Sequence, residues 1–180
     1  MHFPNEIETD RLRCRPPVES DAENIFARYS RDAKVCRFMS WTPHQSVDDT
    51  VAYLKQKSTA PPEGIARYLI FARTTSELLG SIGGRVQGAR HEFGYRLARD
   101  AWGRAYATEA ARAFVKAALY APELWRVQAL CDVENAASAR VLEKIGLAFE
   151  GTLRRYMVLP NLGPMPRDVH CYATYARDRQ

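Results

Sequence analysis

The 180-residue chain has no apolar run of membrane-spanning length and no closely spaced set of metal-binding side chains. Its four cysteines, Cys14, Cys36, Cys131 and Cys171, form no Cys-x-x-Cys pair, and no histidine stands at a zinc-ligand spacing from another ligand. We therefore expect buried free thiols, no metal ion and no membrane partner. The polar start MHFPNEIETDRLR is unlike a secretory signal, so the sequence predicts a soluble cytoplasmic protein.

Lysine is also scarce, and the arginines are scattered, with no basic run beyond Arg154-Arg155. A nucleic-acid-binding face concentrates such residues, so we expect no nucleic-acid partner. The formal net charge of +5 still favours anionic ligands through long-range attraction. Hydrophobic residues make up 46% of the chain, which predicts one globular domain over residues 1–180.

Hydrophobic periodicity and turn signals divide the chain into alternating strands and helices. The predicted helices are Ser20–Tyr29, Ser46–Lys57, Tyr106–Tyr120 and Asn135–Ile145. The predicted strands are Glu8–Arg15, Ala66–Arg73, Leu78–Val86, Glu92–Leu97, Arg126–Cys131, Leu147–Leu159 and Val169–Tyr175. We also expect a turn at Pro61-Pro62-Glu63-Gly64, a bulge at Gly83-Gly84, and surface or turn positions for His44, His91 and His170. This order predicts an α+β domain around a mixed sheet.

A small-residue turn, Trp102-Gly103-Arg104-Ala105-Tyr106-Ala107, joins a strand-like run to an Ala-rich amphipathic stretch. Such a join directs several backbone N–H groups and a helix N-terminus at one point, which suits a phosphate or pyrophosphate. Arg104 would add a charge-assisted contact. Taken alone, the turn fits an ordinary, closely packed strand-to-helix connection better, because glycine patterns are weak signals.

A second feature is Asn135-Ala136-Ala137-Ser138, at the start of a predicted helix. Asn135 suits an N-cap, and Ser138 stands three residues on, so both side chains can face one ligand. A helix N-terminus there would also stabilise a nascent thiolate. Taken alone, the segment fits an N-cap followed by an exposed serine better than a ligand site.

Together these segments resemble the GCN5-related N-acetyltransferase superfamily, in particular its branch of ribosomal-protein-alanine N-acetyltransferases. The matching motifs run in order through nearly the whole chain: Thr9–Arg13, Phe93–Leu97, Trp102–Ala110, Asn135–Gly146, Glu150–Arg154 and Asp168. The resemblance implies the acyl-CoA N-acyltransferase fold, a mixed, mostly antiparallel sheet flanked by about four helices. Two central parallel strands, Glu92–Leu97 and Arg126–Cys131, would splay apart, and acetyl-CoA would enter the gap.

The resemblance also assigns cofactor contacts and a transfer step. The pantetheine arm would pair with the backbone near Arg96 and Leu97, like an added strand. The pyrophosphate would lie on the turn formed by Trp102, Gly103, Arg104, Ala105, Tyr106, Ala107 and Thr108. Asn135 would hold the pantetheine, and Ser138 would donate a proton to the departing thiolate while an amine attacks the acetyl carbonyl directly.

The sequence departs from the family pattern at two places. Ala105 stands where the family usually has glycine, so cofactor binding is expected to be weaker if that residue needs a positive φ. The glutamate that close relatives carry near Arg154–Met157 is missing. Glu92 is then the leading candidate base and Tyr156 a candidate relay. A solvent-facing strand carboxylate, a packing tyrosine and proton loss through a water chain are the alternatives.

The resemblance implies that the acceptor is a primary amine, on a small molecule or at a protein N-terminus. In proteins that this chain resembles, the regions corresponding to Arg37–His44 and Pro160–Arg167 wall the acceptor pocket, and homodimers are common. A coenzyme-A-binding sensor or a degenerate, non-catalytic module is the main alternative, because Ala105 and the missing glutamate both depart from the pattern. A basic nucleic-acid-binding domain ranks last.

Overall fold

The strands form one mixed sheet in the computed structural model, which describes residues 3–58 and 64–176. The strands are β1 (Ile7–Glu8), β2 (Leu12–Arg15), β3 (Ile65–Ala72), β4 (Leu78–Gln87), β5 (Arg90–Leu97), β6 (Arg126–Asp132), β7 (Ala148–Met157) and β8 (Arg167–Tyr175). Their order across the described sheet is β1-β2-β3-β4-β5-β6-β8-β7. All neighbours are antiparallel except β5 and β6. The predicted fold class is thereby confirmed.

Five helices flank the sheet in the described residues, one more than expected. They are α1 (Ala22–Ile25), α2 (Ala33–Cys36), α3 (Val47–Ser58), α4 (Tyr106–Tyr120) and α5 (Ala136–Lys144). The additional helix, α2, is a single turn whose N-cap Asp32 accepts a hydrogen bond from the Lys34 amide. A π-helical turn, Phe26–Ser30, extends α1 to the end of the predicted first helix. Such turns carry no sequence signal of their own.

Strand alternation gives the sheet two differently covered faces. On one face, Phe93 of β5 packs against Phe114 of α4, with ring centres 5.7 Å apart. On the other, Leu69 of β3 packs with Ile25 and Tyr29 beneath α1 and α3. Successive side chains of β5 therefore point in turn to the α4 side and to the α1–α3 side.

The parallel pair β5 and β6 separates after three residues. Backbone pairing joins Arg90 to Arg126, His91 to Val127 and Glu92 to Gln128, and it stops there. Both strands continue, β5 to Leu97 and β6 to Asp132, with no pairing between these parts. The sheet is therefore open between its two central strands, as the family resemblance implied.

Three local predictions are wrong. His91 is completely buried rather than on the surface, because it lies on the α4 side between Phe3 and Phe114, with ring centres 4.9 and 5.3 Å away. Gly83-Gly84 pairs regularly with β5, and the bulge in this hairpin region lies between Ile70 and Phe71 instead. The predicted first strand is two strands, β1 and β2.

The glycine pair serves close approach of neighbouring atoms rather than a bulge. A Cβ on Gly84 would stand 2.3 Å from the Glu92 carbonyl oxygen and 2.7 Å from His91 Nε2.

The four cysteines are buried and free, as predicted, and burial raises the pKa of Cys14 to about 12. Most of the predicted turn at Pro61–Gly64 lies outside the described residues.

Candidate active site

A cleft of about 1580 Å³ opens where β5 and β6 part. Its walls come from the separated strand ends, the starts of α4 and α5, and the loops beside α2 and β7. The cleft lining includes most of the predicted site residues, namely Glu92, Arg96, Leu97, Trp102, Gly103, Ala105, Tyr106, Ala107, Thr108, Asn135 and Ser138. The structure thus brings together positions that are up to 46 residues apart, Glu92 and Ser138 being the extremes.

The start of α4 supplies unpaired backbone donors to one end of the cleft. Its N-cap, Ala105, has a left-handed conformation with φ 62° and gives no side-chain cap. The first amide bonded to a helix carbonyl is that of Glu109, which donates to Ala105 O at 3.0 Å. By helix geometry the amides of Tyr106, Ala107 and Thr108 precede the first intrahelical bond. Free amides at a helix N-terminus suit an anion, and the helix dipole favours negative charge there.

Glu109 anchors this turn to the N-terminal hairpin. Its carboxylate accepts hydrogen bonds from Thr9 Oγ1 at 2.5 Å, from the Arg11 amide at 3.0 Å and from Arg11 Nε at 2.7 Å. Burial raises the pKa of Glu109, but the bonds from Thr9 and Arg11 lower it more, so the group stays ionised. Arg11 also donates to the Arg104 carbonyl at 3.2 Å, which fixes the turn itself.

The flanking residues of the turn have different positions. The Trp102 indole donates to the Leu97 carbonyl at 2.9 Å, so this side chain ties the turn to the end of β5. The Arg104 side chain is exposed, with its guanidinium 5.1 Å from the Tyr106 ring centre, and Arg104 does not contribute to the described cleft wall.

At the start of α5, Asn135 and Ser138 are joined through the helix cap. Asn135 Oδ1 accepts a hydrogen bond from the Ser138 amide at 3.2 Å, so Asn135 is the N-cap. The Ser138 hydroxyl lies 3.1 Å from the hydroxyl of Tyr95, which projects from β5 across the gap. Burial raises the pKa of Tyr95 to about 12 and keeps it protonated. The two hydroxyls form a hydrogen-bonded pair beside the cleft.

Glu92 stands where the parallel strands separate, and a polar chain holds it. Gln128 Nε2 donates to Glu92 Oε2 at 2.8 Å, and Arg126 Nε donates to Gln128 Oε1 at 2.7 Å. Arg126 in turn pairs with Glu150, which also accepts a hydrogen bond from the Tyr175 hydroxyl. The Glu92 carboxylate is therefore oriented at the point where the gap begins.

The two loops expected to wall the acceptor pocket are tied together. Asn161 Nδ2 donates to the carbonyls of Cys36 at 2.7 Å and Trp41 at 2.8 Å. Arg37 and Trp41 of the first loop line the cleft, as does Leu159 just before the second loop, whereas the loop Pro160–Arg167 does not contribute to the described lining. Trp41 lies beside Arg96 on the α1–α3 face of the sheet.

Tyr156 and Asp168 are not brought to the cleft. Tyr156 lies near the end of β7, is 54% exposed and is not part of the described cleft lining. Asp168 pairs with Arg154 at 2.7 Å and accepts from the Arg155 amide at 2.8 Å, which fixes the irregular end of β7. The relay role of Tyr156 stays a prediction without a supporting contact.

The chain belongs to the acetyltransferase (GNAT) domain family, whose model matches residues 11–148. The uncharacterized N-acetyltransferase YoaA of Bacillus subtilis is 35% identical over 156 residues, covering 84% of this chain and 87% of the relative. The crystal structure of a GNAT-family acetyltransferase from Bacillus anthracis has a TM-score of 0.83 at 25% identity, covering 95% and 98% of the two chains. The predicted N-acetyltransferase class is confirmed.

The same fold occurs in the ribosomal L7/L12 α-N-protein acetyltransferase RimL in complex with coenzyme A. Its TM-score is 0.83 at 19% identity, and the match covers 96% of this chain and 99% of that chain. Within residues 3–58 and 64–176, no helix is long and apolar enough to cross a membrane. The same residues contain no group of three or more His, Cys, Asp or Glu side chains placed to hold a metal ion.

The left-handed Ala105 makes a first testable prediction. An L-residue with a Cβ pays about 1 kcal/mol in this conformation, and glycine removes that penalty. Glu109, Thr9 and Arg11 hold the turn in the folded protein, so Ala105→Gly should raise the free energy of unfolding by about 1 kcal/mol, measured by urea unfolding. Gly103→Ala is the matched control and should change it in the opposite direction, because Gly103 has φ 73° and a Cβ there meets no atom within 4 Å. No gain in stability for Ala105→Gly would reject this prediction, and the weaker cofactor binding expected from the sequence stays a prediction.

Proposed function

We propose that the protein transfers the acetyl group of acetyl-CoA to a primary amine by direct attack of the amine on the thioester. The observation that carries this proposal is the gap between β5 and β6 beyond Glu92 and Gln128, with the uncapped start of α4 at one end. The pantetheine arm of acetyl-CoA is long and narrow, and its amides can hydrogen-bond to the separated strands like an added strand. The pyrophosphate can accept hydrogen bonds from the unpaired amides of the helix. The coenzyme A in the RimL structure supports the same use of the fold.

Different residues of the cleft contact different parts of acetyl-CoA in this proposal. The backbone of Arg96 and Leu97 receives the pantetheine arm, and the amides from Gly103 to Thr108 receive the pyrophosphate. Arg104, which is exposed, would reach the phosphates only by turning from the Tyr106 ring. Asn135 and Ser138 lie on the α5 side, next to the end of the arm that carries sulfur.

The reaction needs one proton acceptor and one proton donor. The amine nitrogen forms a bond to the acetyl carbon, and the carbon–sulfur bond breaks with its electron pair on sulfur. Glu92, or water beside it, takes the proton that the amine loses, and Ser138 gives a proton to the thiolate and regains one from Tyr95. An α-amino group has a pKa of about 8, so a useful fraction is neutral without a strong base. Positioning supplies much of the rate.

The proton-donor role predicts a selective kinetic defect in Ser138→Ala. This variant keeps the backbone amide that Asn135 caps, so α5 stays intact. Because a thiolate is a fair leaving group, kcat should fall only about tenfold, a small share of what general acids can contribute. The Kd for acetyl-CoA should change less than about twofold, since the hydroxyl is one contact among many. Thiol release gives kcat and calorimetry gives Kd; an unchanged kcat would remove Ser138 from the mechanism.

Acetyl transfer to an amine panel tests the proposal as a whole. The panel contains small primary amines and peptides with free N-termini, and thiol release reports turnover. Transfer to at least one amine above the hydrolysis background is expected. Tight acetyl-CoA binding with no transfer to any amine would instead identify a coenzyme-A-binding sensor.

A further inference from the structure

The side chain of Arg96 lines the cleft but has no role in the proposed acetyl transfer. It follows Glu92 and Gly94 on the face of β5 that points to α1–α3, so its side chain lies on the acceptor side. Its guanidinium carbon lies 5.4 Å from the ring centre of Tyr29 and 5.5 Å from that of Trp41. The hydroxyls of Tyr29 and Tyr53 also interact with it. The cation is thus surrounded by aromatic rings within the cation–π range.

Four other partly buried arginines of the described chain are neutralised by carboxylates. Side chains that are 23% to 28% exposed each form an ion pair, as Arg15 does with Asp21, Arg28 with Asp100, Arg126 with Glu150 and Arg167 with Asp132. Arg96 has no such ion pair among the described residues, and Glu92 on the same face is held by Gln128. A partly buried charge without a counter-charge is costly, so the fold maintains this one at the expense of stability.

Arg96 has hydrogen-bonding capacity that the described chain does not use. Its Nε is buried and has no hydrogen-bond partner there. Ser81, its register partner in the β4–β5 pair, is 7% exposed, and its hydroxyl interacts with the Tyr29 hydroxyl. Because buried polar groups in native proteins are nearly always hydrogen-bonded, this position favours a further polar group beside Arg96.

We propose that Arg96 and Ser81 bind a carboxylate of the acceptor, which makes the substrate class an amine that also bears a carboxylate. This inference rests on the proposed function and names its substrate. A guanidinium matches a carboxylate with two parallel N–H donors, and Ser81 adds a hydroxyl donor. Gly94, between Glu92 and Arg96, leaves open space on the strand, since a Cβ there would meet no atom within 4 Å.

The charge balance of the pocket agrees with an anionic group. Burial lowers the pKa of His44, and Arg96 lowers it further, so this neighbour stays neutral near pH 7. Burial also raises the pKa of Tyr29, which stays protonated and keeps its hydroxyl as a potential donor. The Arg96 guanidinium is therefore a cation that a ligand carboxylate would meet, in a cleft that Arg37, Arg67 and Glu92 also line.

Matched amine pairs test the proposal. The small pairs are β-alanine with β-alaninamide and γ-aminobutyrate with its amide; the peptide pair is Ser-Asp-amide with Ser-Asn-amide. For at least one pair, the kcat/KM of the wild-type protein should be at least about tenfold higher for the acid than for the amide. A tenfold preference corresponds to the lower end of the free energy of a hydrogen bond to a charged group. Preference within the small pairs indicates a free small acceptor, and preference within the peptide pair indicates a peptide terminus.

Variants then assign the preference to the residue. In Arg96→Met the acid-to-amide ratio should fall to near one, and Tm should be unchanged or higher because the uncompensated charge is gone. Ser81→Ala should lower the ratio less. Arg67→Met is the control, because Arg67 lines the same face of the cleft and is paired in register with Gly83. Its ratio should stay within about threefold of wild type, as expected for screened long-range charge.

The outcomes separate this inference from the proposed function. Transfer to amides and acids alike in the wild type overturns the carboxylate site and leaves the acetyltransferase proposal standing. An acid preference that survives in Arg96→Met, or falls equally in Arg67→Met, overturns the assignment to Arg96. If no amine is acetylated, the carboxylate site is tested by ligand binding, measured as the rise in Tm that each acid and its amide produce in the presence of coenzyme A. Equal rises for acid and amide overturn the site. A larger rise with the acid, which disappears in Arg96→Met, supports it.

Discussion

Thr108→Asp is expected to weaken acetyl-CoA binding at least about 100-fold while leaving Tm unchanged or slightly higher. Thr108 is in the first turn of α4, in the wall of the cleft. A carboxylate there interacts favourably with the helix dipole, so the free protein is not harmed. It also faces the expected pyrophosphate, and two like charges about 5 Å apart near a protein surface repel by about 3 kcal/mol. That free energy corresponds to about two orders of magnitude in Kd.

Thr108→Asn isolates the charge, because asparagine has the shape of aspartate without its ionisation. Its Kd for acetyl-CoA should lie within about fivefold of wild type, while the aspartate variant loses most of its binding. Calorimetric titrations of the three proteins with acetyl-CoA make the comparison, and thermal melts report Tm. Equal affinity of the aspartate and asparagine variants would show that the start of α4 does not hold the phosphates.

The wild-type protein is expected to lose about 3 kcal/mol of folding free energy between pH 7 and pH 4 through His91 alone. Burial lowers the pKa of the His91 imidazole to about 4, against about 6.5 in an unfolded chain. Above pH 6.5 the ring is neutral in both states, and its contribution to stability is complete. As the pH falls from 6.5 towards 4, only the unfolded state takes up the proton, so unfolding becomes more favourable.

Urea unfolding at pH 7, 5.5 and 4 measures this loss. His91→Leu should flatten the change of unfolding free energy over this range, because leucine fills the apolar site between Phe3 and Phe114 without titrating. His44→Gln is the control, since His44 is less buried and its pKa is lowered to a smaller extent. A pH dependence in His91→Leu as steep as in wild type would assign the acid sensitivity to other groups.

The sequence predicted the parts of the site that local patterns determine. The periodicity of alanines and Phe114 predicted α4 with the bounds that the structure has, Tyr106–Tyr120. The small-residue turn before it predicted the group of free amides. The strands on either side of the gap were predicted to within two residues, because they are short apolar runs bounded by turns. Their parallel pairing and separation came from the family resemblance.

The sequence did not predict contacts that link distant parts of the chain. Tyr95 and Ser138 are 43 residues apart, and Asn161 reaches carbonyls 120 or more residues earlier. From the sequence, Arg96 was assigned only a backbone contact with the pantetheine arm. A single arginine in a strand does not show whether a carboxylate lies beside its side chain. His91 fell just before the predicted start of β5, so its alternation with Phe93 was missed.

The start of α4 shows how far composition can mislead about conformation. An alanine at the N-cap favours a helical backbone, yet Ala105 has φ 62° because Glu109, Thr9 and Arg11 hold the turn from outside. Tertiary hydrogen bonds therefore outweigh about 1 kcal/mol of local strain at this residue. Ala105, the strained residue, lies at the proposed phosphate site. Displacement of this turn would move several backbone N–H donors away from the phosphates at once.

The most direct test of the account is calorimetric titration of the ligand-free protein with acetyl-CoA at two temperatures. The slot between β5 and β6, closed at one end by the amides of α4, predicts saturable uptake of one acetyl-CoA per chain and weaker uptake of a dephosphorylated pantetheine analogue. Absence of heat at both temperatures, with no rise in Tm on adding acetyl-CoA, would contradict it.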